Sequence, residues 1–349
     1  MKAAVLSNKM EMEVKELSIP TPLEDEIIIK VKACGICGTD QHIYHGQPGS
    51  AAVDYPIVLG HELAGEVVEV GERVTKFKAG DRVSIDPNIY CGECAYCQSN
   101  RQHLCENLQA IGVTRDGGMG EYCAVPSANC YLISDEMSFE EGAMIEPLGC
   151  VLHGFSRINI QPGASVLVIG GGYIGLMMLQ MAKVYGTFPT FPIVVSEPDQ
   201  SKHKLALQLG ADEAISPDQL EADEAISPDQ LDRNTEGFDI VIECVGRGRK
   251  ESMEQAVKMA KKGGEILLFG VAAPDTKMEI HPFDIFSKEL SIKGSFINPY
   301  THEQAIALVE RGKIQIKPLL SHHFKLEEVP NAMRDYRKMN VIKGIIQYT

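Results

Sequence analysis

At 349 residues the chain is longer than a single core usually serves, which predicts about two domains. Its composition, 44% hydrophobic and 23% charged, is that of a folded protein and excludes disordered and collagen-like classes. A net charge of −15 without any strongly basic stretch argues against a phosphate-binding surface, so no nucleic-acid partner is expected.

The first residues, MKAAVLSNKMEMEVKEL, lack the apolar core and small-residue cleavage site of a signal peptide, which predicts a cytoplasmic protein. A reducing compartment disfavours disulfides, so the ten cysteines read as metal ligands and buried small hydrophobes. ACGICGTDQH (33–42) and GHELAGEV (60–67) bring Cys37 and His61, a thiolate and an imidazole, and MIEPLGC (144–150) brings the carboxylate of Glu146. Three such ligands can hold zinc and leave a fourth position for alcohol or water. Taken singly, each is as readily a core residue as a ligand.

Between them, CGECAYCQSNRQHLC (91–105) sets Cys91, Cys94, Cys97 and Cys105 in the spacing C-x2-C-x2-C-x7-C. Ligands two residues apart can point at one centre, and four thiolates close a tetrahedral zinc with no open position. The reading is a structural zinc. A ferredoxin-type cluster would need a shorter last gap followed by proline, where this chain has Glu106. Acidic neighbours, Asp86, Glu93 and Glu106, weaken a zinc-ribbon nucleic-acid module.

Val166 to Ala182 is the one apolar run near spanning length, but Gly170, Gly171 and Gly172 interrupt it, and no membrane partner is expected. It reads instead as a strand (166–169), a Gly170-x-Gly172-x-x-Gly175 turn and a helix starting by Leu176, the context that a dinucleotide fingerprint requires. Glycines let the backbone approach pyrophosphate at the helix N-terminus. Glu197, in IVVSEPD, stands where a carboxylate accepts from the ribose hydroxyls and repels a 2′-phosphate, favouring NAD over NADP. It falls 22 residues after Gly175, and the tandem triplet TFPTFP (187–192) accounts for the excess. Tyr173 and Ile174 in the turn and Lys202 beyond it complete the cofactor-binding set. FDIVIECVG (238–246), GGEILLFGV (263–271) and ELSIKGSF (289–296) read as further parallel strands, which predicts a doubly wound sheet inserted into another domain. ADEAISPDQL occurs twice, at 211–220 and 222–231; its prolines predict turns on a surface excursion, and its origin, duplication or sequence error, stays open.

GICGTD, GHELAGEVVEVGERVTKFKAGDRV, the four-cysteine loop and VLVIGGGYIGLMMLQMAK together resemble the zinc-containing medium-chain dehydrogenase/reductase family over essentially the whole chain. Within it, GAMIEPLGCVLHGF and IKPLLSHHFKLEEVPNAM are most similar to the sorbitol (polyol) dehydrogenase branch, while RDGG and GGMGEY are shared with threonine and galactitol-phosphate dehydrogenases. The resemblance implies an α/β protein: a GroES-like, mostly β catalytic domain (1–152 and 297–349) and a Rossmann NAD-binding domain (153–296), with the chemistry in the cleft between lobes. It carries Cys37, His61 and either Glu62 or Glu146 to a catalytic zinc, Glu146 first, and leaves Cys34 a buried structural thiol. It implies Thr39 as first acceptor of the alcohol proton, His42 as the next carrier, Glu62 as a group that approaches the metal transiently, and Asp40 as orienter of the ligand loop.

The implied reaction is reversible oxidation of a secondary alcohol on a polyol, sugar alcohol or polyol phosphate, with zinc as Lewis acid and NAD as hydride acceptor. Lowering a bound hydroxyl from a pKa of about 15.7 to about 7 is on the order of 12 kcal/mol of help, more than general-base catalysis alone supplies. Asn298 and Tyr300 stand where the sorbitol enzymes carry an arginine–tyrosine pair, which puts sorbitol itself in doubt. The alternatives are a threonine 3-dehydrogenase-like enzyme and a nonenzymatic nucleotide-binding protein that keeps the fold. The resemblance further implies a homodimer or homotetramer.

Overall fold

The computed structural model describes residues 1–186, 192–221, 237–246 and 249–348. The chain divides into two compact units, Met1–Cys150 with Ile297–Thr349, and Val151–Phe296. No described helix is long and apolar enough to cross a membrane.

The first unit is built around the strand Glu26–Ile36, whose sequence EIIIKVKACGI is buried at nearly every position. Its isoleucines and valine fit a pleated surface packed on both faces. It is the hub of a seven-stranded sheet, pairing antiparallel with Glu62–Val70, Gly344–Gln347 and Tyr122–Pro126. The register opposes Gly35 to Glu62 and Ile36 to Gly344. Cys37, His61 and Lys343 therefore each sit one residue beyond the ends of three adjacent strands.

The second unit holds a six-stranded parallel sheet in the order Glu213–Ile215, Ile193–Ser196, Val166–Ile169, Phe238–Glu243, Ala260–Leu268, Ser291–Gly294. The strands VLVI and IVVS, apolar but for Ser196, are wholly buried, as strands covered on both faces must be. Strand order reverses beside Val166–Ile169, the switch point at which such sheets bind dinucleotides. The first copy of the tandem decapeptide is not a surface excursion: Glu213–Ile215 joins the sheet as an edge strand, and Pro217–Glu221 is a short helix with proline in its first turn. The second copy and most of TFPTFP lie outside the described residues.

Candidate metal centres and cofactor site

The sulfurs of Cys91, Cys94, Cys97 and Cys105 lie within 4.8 Å of one another. Cys91 and Cys105 are 3.4 Å apart and Cys91 and Cys97 3.9 Å, and all ten cysteines are free thiols. Backbone amides point at the sulfurs: Cys91 N–H donates to Cys105 Sγ and Cys94 N–H to Cys91 Sγ, both at 3.4 Å. The amides of Glu106 and Cys97 pull the Cys94 thiol down to about 6, so it is ready to ligate as a thiolate. Four sulfurs at this separation fit a closed tetrahedral zinc.

The second constellation forms at the three strand ends. A sulfur of Cys37, a ring nitrogen of His61 and a carboxylate oxygen of Glu62 lie within 4.8 Å of one another. Cys37 precedes the helix Gly38–Tyr44, and Asp40 reaches back to accept from Cys37 N–H at 2.8 Å. The other Asp40 oxygen lies 3.3 Å from His61 Nδ1, which leaves the opposite ring nitrogen for a metal. Burial opposes charge on His61, but Asp40 and Cys37 outweigh it, and the imidazole pKa stands well above its ordinary value. Gly60 has φ +98°, and a Cβ there would meet Cys34 Sγ at 2.6 Å, so only glycine turns the chain to present His61. Gly35 likewise makes room for Glu62: its Cβ would fall 2.0 Å from Glu62 Oε2.

Glu62 is tied to Lys343, which donates to Oε1 at 2.7 Å and also pairs with Oε2; both side chains are buried. Glu146, in the first turn of the helix Ile145–Arg157, falls outside the 4.8 Å group. Its Oε1 accepts from the Cys150 thiol at 3.3 Å, one helical turn on. Burial raises Glu146 to about 7, with Glu62 adding to the rise and His61 opposing it, so it stands in the field of the same centre. Thr39 and His42 lie half-buried on the helix that follows Cys37, and Cys34 is fully buried beside them in sequence. The thiol of Cys37, the imidazole of His61 and the carboxylate of Glu62, meeting within 4.8 Å, are a donor set that fits zinc.

Sequence reasoning passed over Lys343 and Cys150 as functional residues. A lone lysine ahead of a short strand carries no signal, and only the register places it against Glu62. The spacing of Cys150 four residues after Glu146 on a helical stretch was the one sign available.

In the second unit, Gly170 has φ +104°, and a Cβ on Gly175 would lie 1.7 Å from Gly170 O, so both must be glycine. Gly172, the residue before the helix Tyr173–Val184, faces open space. Tyr173 is buried within the first turn of that helix and Ile174 is half-buried. Glu197 follows Ile193–Ser196 and binds the turn directly: Gly171 N–H donates to Oε2 at 2.7 Å and Asp199 N–H to Oε1 at 3.0 Å. Lys202 Nζ is 3.6 Å from Glu197. Carboxylate, lysine and glycine turn thus converge at the switch point, the arrangement that a nicotinamide dinucleotide fits.

Residues 23–135 match the family model for the alcohol dehydrogenase GroES-like domain and residues 174–311 that for zinc-binding dehydrogenases. The sorbitol dehydrogenase of Bacillus subtilis (strain 168) is 33% identical over 335 residues, covering 95% of this chain and 92% of its own. The L-threonine 3-dehydrogenase of Thermococcus kodakarensis is 33% identical over 329 residues, covering 92% and 91%. A solved structure from Sinorhizobium meliloti 1021, a provisionally assigned zinc-binding dehydrogenase bound to NADP, superposes with TM-score 0.92 at 39% identity over 99% of each chain. The fold and the two thiol-bearing centres define an oxidoreductase of the zinc-type alcohol dehydrogenases. The chain belongs to the zinc-containing medium-chain dehydrogenase/reductase family, with sorbitol and other polyol dehydrogenases among its relatives.

Proposed function

We propose that the protein reversibly oxidises a secondary alcohol of a polyol or sugar-derived substrate, with hydride passing to NAD. The observation that carries this reading is the meeting of Cys37, His61 and Glu62 donor atoms within 4.8 Å at three strand ends, with Glu146 buried in the same field. Cys37 and His61 hold zinc, and Glu146, whose carboxylate accepts only from the Cys150 thiol at 3.3 Å among the described hydrogen bonds, is the third ligand; Glu62 stays neutralised by Lys343. When bound, zinc acidifies an alcohol hydroxyl. Thr39 takes the proton released and His42 passes it to solvent, since both are partly exposed on one short helix.

In the cofactor half, the glycine turn leaves room for pyrophosphate above Gly172, and Glu197 accepts from the ribose hydroxyls. Its carboxylate disfavours a 2′-phosphate, so NAD is the expected partner even though a structural relative was solved with NADP. Ten free thiols suit a cytoplasmic setting, and we assign a homodimer or homotetramer on family resemblance.

The test is nicotinamide reduction across four- to six-carbon polyols, their phosphates and L-threonine, with NAD or NADP, before and after chelation. Polyol-dependent reduction of NAD that chelation abolishes is the expected result. A signal from threonine alone would replace the polyol assignment with the threonine dehydrogenase reading, and cofactor binding without turnover would favour a nonenzymatic one.

A further inference from the structure

The strings RDGG and GGMGEY take no part in the chemistry above, yet the backbone they carry lies against the turn that presents His61. Gly117 N–H donates to Val58 O at 2.8 Å, Met119 N–H to Leu59 O at 2.8 Å and Gly118 N–H to Gly60 O at 2.7 Å. The three carbonyls ahead of His61 are therefore each held by one amide of residues 117–119. Asp116 returns the contact, its Oδ1 accepting from Val58 N–H at 2.9 Å. Approach this close needs glycine: a Cβ on Gly117 would lie 2.3 Å from Gly60 O, and one on Gly112 would lie 2.4 Å from Gly60 O and 2.8 Å from His61 N. A Cβ on Gly118 would meet Cys34 Sγ at 2.9 Å, the same sulfur that bars a side chain from Gly60.

Tyr348, half-buried and packed against the core of the first unit, fastens this segment. Its hydroxyl donates to Gly118 O at 2.6 Å, and its own amide donates at 3.2 Å to the carbonyl of Lys32 on the hub strand. The peptide group that accepts from Tyr348 is the one whose N–H, on Met119, donates to Leu59 O, so the two bonds polarise each other in a buried setting. His61 is thus oriented twice over: Asp40 stands 3.3 Å from ring Nδ1, and the backbone of 117–119 fixes the peptides leading into its Cα. We propose that Tyr348 is a positioning residue for the metal ligand His61. By holding the Gly118–Met119 peptide it fixes the Leu59–Gly60 peptide, and with it the aim of the imidazole at the metal. Without the hydroxyl, the turn gains freedom that a metal ion must then remove on binding. This assignment rests on the reading of Cys37 and His61 as zinc ligands.

The test is Tyr348→Phe, which keeps the ring and removes only the hydroxyl. Wild type and variant are loaded with cobalt(II), whose visible absorption reports the geometry of its ligands. Cys37→Ser loaded in the same way gives the spectrum of the four-thiol site alone, and subtraction isolates the other centre. In Tyr348→Phe the isolated absorption should shift, and chelator competition should show that ion held about 3- to 10-fold less tightly, the loss of one hydrogen bond, while the four-thiol ion is held as in wild type. An unchanged spectrum and affinity with only a lowered Tm, or equal loosening of both ions, would overturn the positioning role while leaving the metal centre intact. A cobalt spectrum that Cys37→Ser leaves unaltered would instead remove the reading beneath it.

Discussion

Lys343 shows how one residue can matter without being conspicuous. Breaking a buried ion pair leaves an uncompensated charge, so Lys343→Met should cost roughly 3–5 kcal/mol in denaturant unfolding, and adding Glu62→Gln should restore part of it. A loss within about 0.5 kcal/mol would mean that Glu62 is satisfied by something else. His302 offers a pH signature. It is fully buried, its Nε2 meets Ser84 Oγ at 2.8 Å, and burial pushes its pKa down to about 3. The unfolded chain takes up the proton first, so the stability His302 permits is complete above pH about 6.5 and is lost as pH falls toward 3, by about 2 kcal/mol at pH 5. Asp86, raised by burial to about 6, has the opposite sign and adds stability as pH falls through that value. Comparing wild type with His302→Asn from pH 7 to 5 cancels the shared contribution: the stability difference should shift against wild type by about 2 kcal/mol, and a flat difference would refute the linkage. At this scale Cys37, His61 and the four thiols were legible because their residue types are scarce and their spacing chemical. Lys343 was not, because lysine is a common surface residue whose burial appears only once distant strands meet.

The glycine turn was legible as an element, from an apolar strand, three spaced glycines and a helix in succession. Its helix starts at Tyr173, ahead of the expected Leu176, because the turn closes directly on Gly172 as the flanking residue. The glycines within it have separable duties. Gly175→Ala should disrupt the turn itself, since its Cβ would lie 1.7 Å from Gly170 O, and should lower Tm whether or not cofactor is present. Gly172→Ala meets nothing within 4 Å, so it should fold normally yet bind NAD at least several-fold more weakly by calorimetry, through loss of close approach to pyrophosphate. Equal behaviour of the two variants would undo that division. The tandem decapeptide was misread at this scale: its prolines suggested turns, but Glu213–Ile215 has a neighbour, Ile193–Ser196, whose free edge recruits it.

For the molecule as a whole, the proposed metal sites make separate demands. We expect two zinc ions per chain by elemental analysis: Cys105→Ser should remove the closed-site ion and lower thermal stability, whereas Cys37→Ser should remove the other and abolish turnover while the four-thiol ion stays. Loss of both ions from either variant would show the sites to be coupled. The interrupted order of the chain was readable from motifs, with strand and helix alternation confined to its middle. That the hub strand Glu26–Ile36 is completed by Gly344–Gln347 was not, because pairing partners so far apart leave no local trace. This pairing has a consequence for biosynthesis. About 300 residues separate Ile36 from its partner Gly344, so at ordinary translation speeds roughly 15–60 s pass between them. During that interval the nascent polypeptide carries Glu62 without its counter-ion, and a ribosome stalled before Lys343 would display an unfinished sheet edge to chaperones.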